Sequence, residues 1–102
     1  METLKSEDGG RPTPSIMTYV YVLESANAPQ HRYVGLTPDL KQRFSDHNAG
    51  RSSHTRKFKP WNLVVYTAFA DKKAAVEFER YLKTGSGIAF LKRHFLRRLP
   101  PI

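Results

Sequence analysis

The sequence predicts an α+β domain, a three-stranded antiparallel sheet flanked by helices in the order β-β-α-β-α-α. Three observations predict it. Runs of β-branched and aromatic residues recur at Thr18–Ser25, 31–37 and Trp61–Phe69, the composition of strands. Only a short turn with Asn and Pro separates the first two runs, which makes them antiparallel. Capped segments with helical spacing follow the second and third runs. At 102 residues the chain is one domain, with enough length for one modest core.

Residues 1–16 are rich in Gly, Pro, Ser and charge and have no periodicity, so they read as a tail ahead of a domain over 17–99. In the first strand, Tyr19, Tyr21 and Leu23 alternate with Val20 and Val22. Both faces are apolar, which places this strand in the centre of the sheet. Gly35 interrupts the second strand and marks a bulge or a close backbone approach. Thr37-Pro38-Asp39 opens the first helix, with Thr37 as cap, Pro38 in the first helical position and Asp39 at the positive end of the dipole. Leu40 and Phe44 face the core, and Gly50 ends the helix. Residues 51–60 form a basic loop. Asp71 caps a second helix that stops near Gly85, and a third, basic helix is expected over 87–99, leaving 100–102 as a C-terminal tail.

The net charge is +8. Residues 1–16 carry −1, so the rest carries +9. Such a surface suits a polyanion. The chain has no cysteine, which excludes disulfides and cysteine zinc sites. No apolar run approaches the ~20 residues of a membrane span, and the N-terminal residues contain no hydrophobic signal core. A cytoplasmic protein with no membrane contact and no obligate protein partner is the expectation.

Glu79 sits at the edge of the apolar arc formed by Ala75, Phe78 and Leu82 on the second helix. A carboxylate there loses hydration and needs a compensating charge. Either a metal ion or an ion pair with Arg80, Lys83 or another element would supply it. Arg43 and His47 lie four apart on one side of the first helix. Arg offers a fork to phosphate oxygens, and His moves protons near neutral pH. The same spacing also suits a solvated face in which Arg43 pairs with Asp39 or Asp46. Tyr19, Tyr21 and Tyr33 are, by position alone, sheet residues; catalysis would require a phenol aimed into a cleft with its pKa, normally ~10, lowered. His31, His54 and His94 have no metal-ligand spacing and read as surface residues, with His54 able to touch phosphate. Gly85 and Gly87 fit a helix-to-helix turn better than a nucleotide cradle.

Taken in order, Tyr19-Val20-Tyr21, Tyr33-Val34-Gly35, Arg43 and His47 on a helix and a lone Glu79 on a later helix resemble the GIY-YIG nuclease family. The string RYVGLTPDLKQRFSDHNAG and the segments VEFERYLKTGSG and FLKRHF resemble its small stand-alone bacterial members, which are grouped with the nuclease domain of the nucleotide-excision-repair incision subunit. The resemblance spans Tyr19 to Phe95. It implies that Tyr21 and Tyr33 lie near the scissile phosphate, with Tyr21 activating the attacking water. His47 orients that tyrosine or takes its proton, Arg43 neutralises the phosphate, and Glu79 holds a single Mg2+ or Mn2+. Gly35 lets backbone pass close to the site. The chain departs from the pattern in having Tyr-Val for Gly-Ile in the first tripeptide, valine for isoleucine in the second, and Leu36 where some members place lysine.

The expected function is a divalent-metal-dependent endonuclease acting on DNA, with RNA as the other candidate, in repair or processing of branched or single-stranded substrates. Arg51, His54, Arg56, Lys57, Lys59, Lys83, Lys92 and Arg93, with Arg97 and Arg98, would grip the nucleic-acid backbone electrostatically. Two rivals remain: a nucleic-acid-binding module with weak or lost catalysis, and a basic interaction protein that keeps the fold.

Overall fold

A computed structural model describes residues 16–96. All of the expected 1–16 tail but Ile16, the end of the expected third helix over 97–99 with Arg97 and Arg98, and the 100–102 tail lie outside the described residues. The elements are β1 (Thr18–Ser25), β2 (Arg32–Thr37), α1 (Leu40–Asn48), a 3-10 turn (Arg56–Phe58), β3 (Trp61–Phe69), α2 (Lys72–Leu82), α3 (Gly85–Phe90) and a π-type turn (Leu91–Phe95). Strand order is β2-β1-β3, antiparallel throughout. The expected α+β architecture is present, with β1 in the middle as its two apolar faces require. Among the described residues no helix is long and apolar enough to cross a membrane.

Two clusters sandwich the sheet. Val20 and Val22 pack with Ala75, Leu82 and Leu91 on the side of α2 and α3. Tyr21, Leu23 and Trp61 pack with Tyr33, Leu40, Phe44 and Phe58 on the side of α1. Alternation along β1 thus divides one strand between two cores. One register shift, between Val22 and Leu23, accommodates an extra residue in β3.

Three element boundaries differ from the sequence reading. The cap of α1 is Asp39, whose carboxylate accepts from Gln42 N at 3.1 Å. The Thr37 hydroxyl instead accepts from Asp39 N at 3.0 Å, bending the chain before the helix. Pro38 therefore precedes the cap. The third helix starts at Gly85, where the Thr84 hydroxyl accepts from Gly87 N at 3.1 Å, and it loosens into the π-type turn at Leu91. A Cβ at Gly87 would collide with the Tyr81 carbonyl, so this glycine permits the tight α2–α3 corner. Gly50 ends α1 with φ +79, the left-handed conformation that favours glycine.

Candidate active site

The candidate residues come from all three layers. Tyr21 lies in the central strand directly opposite Gly35 on β2. Its ring crosses over that glycine so closely that a Cβ there would collide with the phenol carbon and oxygen. Gly35 is thus a close approach, one of the two alternatives its place in a strand allows. Tyr33, one alternation away on β2, packs its ring 6.2 Å from Tyr21 and 5.1 Å from His47, centroid to centroid.

Arg43 and His47 project from α1 one turn apart, as their spacing requires. His47 is 0% exposed. Its Nε2 lies 2.8 Å from the Tyr21 hydroxyl, and its Nδ1 lies 2.7 Å from the hydroxyl of Thr55, which is also buried. A buried hydrogen-bonded chain therefore runs Tyr21–His47–Thr55. Burial pushes the Tyr21 phenol well above its ordinary value, and Tyr33 and the negative charge of Glu79 add to the rise; the charge and hydrogen bonding of Arg43 work against it. Burial lowers the His47 imidazole below its ordinary 6.5, Arg43 lowers it further, and Asp46 opposes. At neutral pH the pair is therefore a phenol beside an uncharged imidazole. Arg43 itself is exposed at the surface of α1.

The negative charge of Glu79 on α2 makes the smallest of the contributions that raise the pKa of the same phenol. The Glu79 side chain is 16% exposed and pairs with Lys83 Nζ at 2.5 Å, one turn along the helix. The ion pair with Lys83, one of the alternatives open to Glu79, is therefore present, and Lys83 itself stays exposed. Among the described residues no group of three or more His, Cys, Asp or Glu gathers to hold a metal. A single half-buried carboxylate still fits a hard cation such as Mg2+, which takes one or two carboxylates and completes its shell with water and phosphate oxygens.

The basic residues divide into two groups. Arg43, Asp46, Arg51, Ser52, Ser53 and His54 line one shallow cavity of about 330 Å³ beside α1, with Arg51 tied to Asp46 at 2.8 Å. Arg56, Lys57 and Lys59 are exposed in the following turn, and Lys57 lies over the Phe58 ring. Lys92 and Arg93 belong to the π-type turn, and Arg93 borders a different cavity with Tyr81, Ser86 and His94. His31 is not a plain surface residue: its ring stacks on Phe58 with centroids 3.8 Å apart.

Sequence reasoning missed Thr55, Trp61 and Asn48. Trp61 Nε1 donates to the Thr55 carbonyl at 2.9 Å. Asn48, adjacent to His47, accepts from Trp61 N at 2.5 Å and donates to Trp61 O at 3.1 Å. No local signal marks Thr55, a small polar residue in a polar loop. Trp61 at a strand start was the available cue, because a buried indole N–H needs an acceptor.

Residues 17–87 match the family described as the GIY-YIG catalytic domain. A UPF0213 protein of Streptococcus pyogenes serotype M5 is similar, with 42% identity over 66 residues covering 64% of this chain and 70% of that one. The structure-specific endonuclease subunit SLX1 of Candida dubliniensis is 38% identical over 71 residues, 63% of this chain and 25% of the fungal protein. The solution NMR structure of the UPF0213 protein BH0048 from Bacillus halodurans aligns with a TM-score of 0.47 and 30% identity over 76% of this chain and 83% of that chain.

Proposed function

The chain belongs to the GIY-YIG catalytic domain family, and from that membership we propose that it is a divalent-metal-dependent endonuclease that hydrolyses phosphodiester bonds in DNA. The observation that carries the reading is the buried Tyr21–His47–Thr55 chain with Arg43 at its solvent end. It joins a proton path to a cationic fork suited to phosphate.

Proton energetics decide how such a path can work. The ordinary values of Tyr21 and His47 are 10.0 and 6.5, and burial moves them further apart. Moving the proton from phenol to imidazole therefore costs more than about 5 kcal/mol in the free protein. A standing phenolate is excluded as the resting form. The transfer has to accompany attack: the water oxygen bonds to phosphorus, its proton passes to the Tyr21 oxygen, and the Tyr21 proton passes to His47 Nε2. The P–O bond to the leaving oxygen breaks, and that oxygen takes a proton from solvent. Arg43, whose charge favours the ionised phenol in the free protein, engages the phosphate oxygens. Tyr33 packs against both rings and holds them in register. Glu79 would hold the divalent cation, exchanging its Lys83 contact for it. When bound, the cation supplies positive charge that stabilises the negative charge developing in the transition state.

The fungal relative is named as a structure-specific endonuclease subunit, so branched DNA is the first substrate to try. Cleavage of branched, single-stranded and duplex DNA with and without Mg2+ or Mn2+ tests the reading, with Glu79→Ala as control. Metal-dependent cutting that disappears in Glu79→Ala, while DNA binding persists, is the expected result. Binding to all three substrates with no cutting under either metal would make the chain a nucleic-acid-binding module with lost catalysis. The existing Glu79–Lys83 pair is the observation that favours this second reading.

A further inference from the structure

His47 is enclosed between two hydroxyls, the Tyr21 phenol at Nε2 and Thr55 at Nδ1. A neutral imidazole has one N–H and one lone pair. One neighbour must therefore donate to the ring and the other accept from it. A phenol, with a pKa of ~10, is a far stronger acid than an aliphatic alcohol and the better donor. The Thr55 hydroxyl is left to accept from Nδ1–H.

Thr55 is held in place for this. Its N–H donates to Ser52 O at 3.2 Å, and its carbonyl accepts from Trp61 Nε1. Trp61 is in turn bound at both backbone groups by Asn48, the neighbour of His47. A closed frame thus runs from His47 through Thr55, Trp61 and Asn48 back to α1, and it sets where the hydroxyl meets Nδ1. The other titratable or charged groups near the imidazole are Tyr21 on β1, Tyr33 on β2, and Arg43 and Asp46 on α1. Tyr21 and Tyr33 are phenols, and no second carboxylate competes with Thr55 at Nδ1 among these groups.

We propose that Thr55 is a positioning residue that locks His47 in the tautomer protonated at Nδ1, the one form whose Nε2 can receive the Tyr21 proton. In the opposite tautomer Nε2–H donates to the phenol oxygen and the relay is blocked. Without the Thr55 hydroxyl, the Nδ1-protonated form buries an unpartnered N–H, which native proteins avoid more strictly than an unused acceptor. The balance then moves to the blocked form. The consequence for turnover rests on the nuclease reading; the tautomer itself does not.

The test uses the full chain labelled with 15N. The His47 imidazole shifts are recorded near pH 7.5 for the native protein, Thr55→Val and Thr55→Ser, and each sample is assayed on branched, single-stranded and duplex DNA with Mg2+ or Mn2+. The native ring should show a protonated Nδ1 and a bare Nε2. Thr55→Val should move the proton toward Nε2 and lower kcat by roughly 10–100-fold, as loss of a group orienting a functional histidine does elsewhere, with KM unchanged. Thr55→Ser should restore both. A native His47 protonated at Nε2 overturns the proposal, as does a Thr55→Val spectrum or kcat matching the native one. If no sample cuts DNA but the tautomer responds to Thr55→Val, the lock stands and the nuclease reading fails. Should Thr55→Val not fold, the native and Thr55→Ser spectra still decide which nitrogen carries the proton.

Discussion

Tyr21 and His47 each hold a protonation state that burial enforces, and the two work in opposite directions with pH. His47 titrates below its ordinary 6.5 in the folded protein. Below pH 6.5 the unfolded chain therefore binds the extra proton first, and stability present above that pH is lost as pH falls through the folded value. Tyr21 titrates above its ordinary 10.0, so its contribution is present below pH 10 and is lost as pH rises through the folded value. Urea unfolding against pH should show both limbs: His47→Gln should flatten the acid one and Tyr21→Phe the alkaline one. Arg43→Ala should slow turnover at saturating DNA by roughly 10²–10³-fold, the loss expected when one charge-stabilising donor is removed; a pure change in affinity would reduce Arg43 to a tether. Gly35→Ala should destabilise by about 1–3 kcal/mol through overpacking against the Tyr21 ring, read as a lower Tm. At this scale the sequence revealed pairs and left chains hidden. Arg43 and His47 were legible because helical periodicity alone puts them side by side. Thr55 was not, because its partner lies across a loop whose path no local preference determines.

Between elements, α1 and β3 are joined by the two hydrogen bonds that Asn48 makes with the Trp61 backbone. Asn48→Ala leaves both groups without partners and should cost on the order of 2 kcal/mol, a drop in Tm of roughly 10 °C. Faster amide exchange at Trp61 should accompany it; unchanged exchange would show that the tie does not hold the strand. The strands were legible because their runs of Val, Tyr and Leu are long and alternate cleanly. The helix starts were less so, because Thr37 and Asp39 both have oxygens able to cap, and the choice is made by the bend at Thr37. The third helix begins two residues before the expected Gly87, because Thr84 caps it, and its hydrogen bonding changes to the π type from Leu91.

Across the whole molecule, basic residues outnumber acidic ones, but they occupy more than one region. The cavity shared by Arg43, Arg51 and His54 adjoins the candidate site, whereas Arg93 borders a separate cavity. Replacing Arg51 and Arg56 with Ala should reduce the slope of log K against log salt by roughly 1 per lost phosphate contact. Replacing Lys92 and Arg93 should leave cutting at saturating DNA unchanged, and a loss of turnover there would mean that the nucleic acid reaches round the sheet. Net charge was legible from the sequence; its partition was not, because charge counts say nothing about which face a loop turns to. The strand that carries Tyr21 is also the most enclosed element, flanked by strands on both sides and by a packed cluster on each face. Tyr21 therefore sits in the part of the fold least able to open locally, and the amides of β1 should exchange only with the free energy of global unfolding measured in denaturant.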